Sequence, residues 1–340
     1  MSTSGYGARI LGWVALVGLA LGLGACGRGP DELVVYSSRT EQLIKPIFDR
    51  YTAETGQAIR FVTDDAGPLM ERLAAEGRNS PADLLITVDA GNLWQAAQRG
   101  LLRPVESEIL RTNIPEHLRD PENRWFAVSV RARTIVYSTE RVKPEELDTY
   151  EGLADPKWRG RLCLRTSKSV YNQSLVAMLV AEHGEEKAEQ IVRGWVENLA
   201  TDVFANDTHL MEAIAAGQCD VGIVNTYYFG RLKRDKPDLP IKLFWADQNG
   251  KGVHVNVSGV GVTAHAPNAE KAVKFLEWLT KPEAQSLFAG LNLEYPAVPT
   301  VEPDERVAGW GEFRPSTMNL AKAGELQPIA VRLMDRVGYR

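Results

Sequence analysis

The chain is poor in the residues that usually carry metal or redox chemistry. Three cysteines occur in 340 residues, too few for a cysteine-rich zinc module or a disulfide scaffold. The five histidines, His117, His183, His209, His254 and His265, are never spaced at i+2, i+3 or i+4, so a zinc-type imidazole cluster finds no support. No Gly-x-Ser-x-Gly elbow, phosphate loop or dinucleotide fingerprint stands in a suitable strand–turn–helix context. Glu185-Glu186 reads as a solvated helix start, and no paired acid/base or nucleophile constellation speaks for an enzyme. Positive charge is limited too. Lys and Arg number 39 against 44 Asp and Glu, a net charge of −5, and without a basic block this argues against nucleic acid as a partner.

Long apolar runs are confined to the N-terminus. Arg9 precedes the run Ile10 to Leu23, which is broken by glycines and too short for a good spanning helix. It ends in Leu23-Gly24-Ala25-Cys26, which resembles a bacterial lipobox. That resemblance implies a signal peptide over 1–25, cleavage before Cys26, lipidation of its thiol, and a tether over 26–31. The plain alternative is an ordinary secretory signal with an incidental cysteine. Either way the expectation is an exported protein, in the first case a periplasmic, membrane-anchored lipoprotein. Lipidation leaves Cys163 and Cys219, and an even remainder in an oxidising compartment suggests one disulfide, with two unpaired buried thiols as the alternative.

The remaining length exceeds a typical single core, so two domains or lobes are expected. Strand-like and helical segments alternate. Leu33–Tyr36, Ile59–Val62 and Asp83–Thr87 read as strands, and the residues from Leu43 to Tyr51, Pro68–Ala75 and Leu93–Gln98 as helices. This pattern predicts a parallel α/β sheet with helices on both faces. Two longer β runs, Trp125–Tyr137 and Val253–Val262, are candidate crossings between lobes. Further on, Leu162–Leu164 and Val221–Val224 read as strands, Asn172–His183 as a helix, and Asp207 or Thr208 as the cap of a helix holding Leu210, Met211 and Ile214. Two α/β lobes joined by β crossings make a hinged clamp, with the ligand site in the interlobe cleft beyond the carboxyl ends of the strands. Tyr227 and Tyr228 stand at one such end, and Thr40 and Glu41 just beyond another.

Cys163 is followed eight residues later by Tyr171, and Cys219 eight residues later by Tyr227, with Tyr228 beside it. If the two cysteines pair, the three phenols are drawn toward one place. Three phenolates carry three negative charges on hard oxygen, which suits a trivalent, oxygen-seeking cation. A free phenol has a pKa of ~10, but a tightly bound trivalent ion deprotonates its own ligands. Adjacent tyrosines on an extended strand point to opposite faces, so Tyr227 and Tyr228 converge only if the chain has left the strand. Two tyrosines packed at a lobe edge is the bland alternative.

Six segments carry a more specific resemblance: Val35-Tyr-Ser-Ser-Arg39, Pro81-Ala-Asp-Leu-Leu-Ile-Thr-Val-Asp89, Arg131-Ala-Arg133, Ala154-Asp-Pro-Lys-Trp-Arg-Gly160, Val170-Tyr-Asn-Gln-Ser174 and Asn225-Thr-Tyr-Tyr-Phe-Gly-Arg231. With them the chain resembles the periplasmic ferric-iron-binding subunits of bacterial ABC transporters, notably the cyanobacterial-type branch, over essentially the whole mature length. The resemblance implies a two-lobed, type II-like solute-binding fold. The expected first lobe covers 32–130 plus about 258–306, and the second 131–257 plus about 307–340. It implies Fe(III) as cargo, delivery to an inner-membrane ABC permease, a monomer, and no turnover. The iron ligands fall by local match on Tyr171, Tyr227 and Tyr228. Arg231 matches a second-shell arginine, and Asn225 and Thr40 stand close by. Within the same fold the rival is a receptor for a small organic or oxyanion ligand; outside it, an extracytoplasmic enzyme using the same cleft.

There is one departure. Where close relatives carry His-Tyr after Tyr-Ser-Ser-Arg39, this chain has Thr40-Glu41. Either Glu41 supplies a carboxylate oxygen, or the first lobe gives no direct ligand and a small anion such as carbonate completes the sphere. Arg131 is then its candidate holder. Glu41 equally suits a solvated acid at a helix N-terminus.

Overall fold

The computed structural model describes residues 32–340; the expected signal segment, the lipidation site Cys26 and the tether lie outside the described residues. In chain order the elements are β1 (Leu33–Ser37), α1 (Glu41–Thr55), β2 (Ile59–Thr63), α2 (Ala66–Glu76), β3 (Leu84–Thr87), α3 (Ala90–Gln98), α4 (Glu108–Asn113), β4 (Phe126–Ser138) and β5 (Leu162–Cys163). There follow α5 (Val170–His183), α6 (Glu185–Glu197), α7 (Asp207–Ala215), β6 (Val221–Asn225), α8 (Thr226–Asp235), β7 (Ile241–Phe244) and β8 (Val255–Val262). The chain ends with α9 (Ala269–Leu279), α10 (Pro282–Gly290), β9 (Tyr295–Pro296), α11 (Glu305–Ala308) and α12 (Ala321–Arg336).

The apolar patterns explain the layers. Every residue of β1 and β3 is buried, as expected of strands covered on both faces. Ile44, Ile47, Phe48 and Tyr51 form the inner stripe of α1, which stops at Gly56 in the left-handed conformation, φ 74°. Strands run in the order β2-β1-β3-β8-β4-β6-β5, with β7 and β9 also on β4. β1 is parallel to β2 and β3, and β5 is parallel to β6. The expected parallel sheet needs correction at its centre, because β8 is antiparallel to β3, and β4 is antiparallel to both β8 and β6. A chain that crosses from one lobe to the other and back has to enter a sheet against the direction of its βαβ strands.

β4 is the longest of these strands, and all thirteen of its residues are buried. Its first part pairs with β8, down to Ala132↔Val255; its second part pairs with β6 from Arg133↔Asn225 onward and with β7. One continuous strand thus serves two lobes.

Three local expectations shift. α7 is capped by Asn206, whose side chain accepts from the His209 N–H at 2.9 Å, rather than by Asp207 or Thr208. Asp207 is instead fully buried and ion-paired. α5 begins at Val170, so Tyr171 lies inside the helix rather than before it. α12 has no counterpart in the sequence reading, because Gly324 and Pro328 both weaken helix propensity. Packing on α3 and α5 compensates, and the glycine is needed for it: a Cβ on Gly324 would lie 2.5 Å from Trp94 Cβ.

Cys163 and Cys219 form a disulfide with a Cα–Cα distance of 5.9 Å across 56 residues. It sits in a second-lobe core with Leu210, Met211, Ile214 and Val224. A closed loop of this length stabilises by about 4 kcal/mol in the chain-entropy model. Among the described residues no helix is long and apolar enough to cross a membrane.

Candidate metal-binding site

β6 ends at Asn225, and α8 starts at the next residue. Tyr227 and Tyr228 therefore stand in the first turn of a helix, not on an extended strand. Their ring centroids are 4.4 Å apart with planes at 34°. Tyr171 occupies the same place in α5, second residue of its first turn. All three phenols line one cavity of about 380 Å³ with Arg131, Arg231 and Thr40. Two helix N-termini carry them, and the positive end of each helix favours negative charge there. Gly230 lets α8 approach the neighbouring segment: a Cβ would lie 2.5 Å from the Trp310 ring and 2.9 Å from Leu293.

Burial raises the Tyr171 phenol above its usual range, Tyr228 adds to the rise, and Arg131 offsets part of it. Tyr227, 6 % exposed, is pushed well above 10, first by burial and then by the phenols of Tyr171 and Tyr228. Tyr171 and Tyr227 are thus held protonated in the absence of a cation, and only a strong cation reverses that.

Guanidinium groups surround the rings. Arg131 Cζ lies 5.5 Å from the Tyr171 centroid, and Arg231 Cζ 5.3 Å from that of Tyr227. Arg165, which the sequence reading missed, lies 5.4 Å from Tyr171 and 5.8 Å from Tyr228. Its place just after β5, at a strand's carboxyl end, is the signal that would have found it. Arg131 donates through Nη2 to Val88 O, while its buried Nε and Nη1 have no hydrogen-bond partner among the described residues. Arg231 donates to Asn292 Oδ1.

A second buried network lies beneath the tyrosines. Arg133 Nη1 donates to Asp207 Oδ2 at 3.0 Å and to Asn225 Oδ1 at 3.1 Å, and Arg133 Nη2 to Asn172 Oδ1 at 2.6 Å. Asn225 Nδ2 reaches the Tyr227 hydroxyl at 3.4 Å. Asn172 and Asn225 flank the phenols on α5 and β6, so this network fixes both first turns. Its sequence signal was Arg133 itself, a charge inside an apolar strand that has to be paired.

The first-lobe wall differs. Thr40 caps α1 without a side-chain capping bond and lines the cavity. Glu41 is exposed and does not line it. A carboxylate does reach this wall from elsewhere: Glu294, 2 % exposed, pairs with Arg39 at 3.1 Å and accepts from Ser129 Oγ at 2.6 Å. Burial alone would raise the Glu294 carboxyl; Arg39 and Arg131 outweigh it and hold it below the usual range. Among the described residues no group of three or more His, Cys, Asp and Glu side chains is arranged to hold a metal. A metal bound here would depend on the phenols.

Residues 79–312 match the bacterial extracellular solute-binding proteins. Iron uptake protein A1 of Synechocystis sp. (strain ATCC 27184 / PCC 6803 / Kazusa) is 44 % identical over 335 residues, covering 94 % of this chain and 93 % of the relative. The chain belongs to this family. Two solved relatives share the fold, a two-lobed α/β architecture. One is the Trichodesmium protein IdiA (FutA), solved in complex with iron and citrate ligands, with TM-score 0.88 and 43 % identity over 91 % of this chain and 100 % of the other. The second is apo FutA2 from Synechocystis PCC6803, with TM-score 0.87 and 41 % identity over 91 % and 99 % of the two chains.

Proposed function

We propose that this protein captures ferric iron between its lobes through the phenolates of Tyr171, Tyr227 and Tyr228 and hands it to an inner-membrane ABC permease. The observation that carries this reading is the convergence of three phenols, on the first turns of two helices, onto one arginine-ringed cavity. Three phenolates neutralise a trivalent ion, so the inner sphere needs no further charge. Relatives named for iron uptake, and one solved with iron and citrate, support the same cargo. Binding and release suffice for this role; no turnover is involved.

The cavity is far larger than one ion, since a water takes about 30 Å³. Arg131, with two buried donor nitrogens free, is suited to hold a small anion such as carbonate or a carboxylate of a larger chelator. This favours the bridging-anion route over Glu41, which stands outside the cavity wall. Lipidation of Cys26 and removal of residues 1–25 belong to the same proposal and place the protein on the periplasmic face of a membrane.

The test is titration of the mature protein with ferric and ferrous iron, aerobically and anaerobically, followed in the visible. Ferric loading gives a phenolate-to-metal charge-transfer band. If ferric iron gives no band while a small oxyanion raises the melting temperature, the cargo is the anion and the iron reading fails.

A further inference from the structure

Asp89 follows β3 and is fully buried. Its Oδ1 serves its own lobe, accepting from the backbone N–H of Gly91 at 2.7 Å and of Asn92 at 3.3 Å to cap α3. Its Oδ2 reaches out of that lobe. It accepts from Ser174 Oγ of α5 at 2.8 Å and from Asn256 Nδ2 of the crossing strand β8 at 2.7 Å. Ser174 is three residues beyond Tyr171, on the next turn of the same helix, and is also fully buried.

A second tie runs beside the first. Gln173 Oε1 accepts from Gln327 Nε2 of α12 at 2.8 Å, and Gln327 Oε1 accepts from Gln95 Nε2 of α3. Two adjacent residues of α5 are thus tied to α3 of the first lobe, one directly and one through α12. A buried serine in a helix is free to satisfy its hydroxyl on a carbonyl of its own previous turn. Ser174 instead donates to a carboxylate from the opposite lobe, a stronger, charge-assisted bond.

We propose that Asp89 and Ser174 are the interlobe contact that fixes the Tyr171 helix against the first lobe, and so are positioning residues for retention of the cargo. Neither touches the phenols. Tyr171 rides on the same rigid helix, so the pose of α5 against the first lobe sets how the phenol meets whatever that lobe presents. Removing the serine hydroxyl leaves a buried carboxylate oxygen one donor short, a loss the closed arrangement bears and a more open, wetter one does not.

The inference rests on the ferric reading for its kinetic readout only. The experiment compares wild type with Ser174→Ala in three measurements: iron release to a competing chelator, the visible band, and small-angle scattering with and without iron. The expected result is release about tenfold faster, an unchanged band position, and a larger radius of gyration for the iron-free variant. Equal release rates and equal scattering overturn the proposal. If the wild type takes up no iron, the functional reading fails on its own, and the iron-free scattering still decides the interlobe contact.

Discussion

The second-lobe wall of the cavity presents three phenols on the first turns of two helices, with Arg165 and Arg231 against their rings. The first-lobe wall presents an uncommitted Thr40 and an arginine–glutamate pair whose charges cancel. One wall is built to stabilise concentrated negative charge; the other is polar but close to neutral. The difference implies an order of events. On the proposed reading, the expected order is that iron loads on the second lobe and the first lobe then closes on what is already held.

Removing a phenol should break this asymmetry most severely. Replacing Tyr171, Tyr227 or Tyr228 by Phe deletes one oxygen with little change in volume. Outer-shell substitutions at metal sites cost 10–100-fold in affinity, so loss of a ligand itself is expected to cost about 100-fold or more. Competition against a chelator and the visible band measure it. Three Phe variants that all keep the wild-type affinity and band would remove the phenolate assignment.

The next effect separates the bridging-anion route from a Glu41 ligand. Arg131→Ala should weaken iron binding about tenfold when carbonate or citrate is supplied, and much less when neither is present. Glu41→Gln should change nothing in either condition, because Glu41 is exposed outside the cavity wall. An effect of Glu41→Gln that ignores the anion would mean that α1 swings inward on loading and contributes a carboxylate after all.

These contrasts were unevenly legible in the sequence. The tyrosines were readable because their chemistry is unusual and their offsets from the two cysteines match. The crossing strands were readable as long apolar runs, but not their antiparallel sense, which depends on the path between lobes rather than on local pattern. Arg165 escaped because it looks like an ordinary surface charge, and Asp207 because it reads as a helix cap; only the fold shows Asp207 Oδ1 3.6 Å from Arg165 Nη1 beneath the phenols. Glu294 escaped for a similar reason, since 255 residues separate it from its partner Arg39.

Arg165 gives a smaller effect that sharpens the description of the phenolate wall. Arg165→Gln keeps a polar side chain and removes a cation facing two rings. Arg165 favours ionisation of the Tyr171 phenol, so without it the midpoint of iron loading should move to higher pH. The charge-transfer band should move to longer wavelength, because the phenolate donor orbitals lose a stabilising charge. A band and loading midpoint identical to wild type would make Arg165 a packing residue only.

The smallest effect concerns the other end of the Tyr171 helix. Where the first turn of α5 collects cations, its last turn collects acids. Glu182 is raised to about 7, by burial first and by Glu151 second, with Lys251 opposing. Asp247 is also raised to about 7, by burial first, then by Glu151, Glu182 and Asp148, against a hydrogen bond from the Tyr150 backbone. His183 Nε2 sits 2.9 Å from Glu151 Oε1 and 3.9 Å from Glu182 Oε2. The negative end of the helix disfavours further negative charge there. An acid whose folded pKa exceeds its unfolded one binds more protons in the native state. Its stabilising contribution is therefore complete below about pH 4.5 and is lost as pH rises through 7. Glu182→Gln removes the penalty of ionisation, so the variant should melt a few degrees above wild type at pH 8 and no higher than wild type at pH 5. The expected gain is about 2–4 °C for a chain of this size, because water reaches part of the cluster and screens it. Thermal melts across that range decide it. A difference between variant and wild type that does not change with pH would show that Glu182 is not held protonated at the far end of the helix that carries Tyr171.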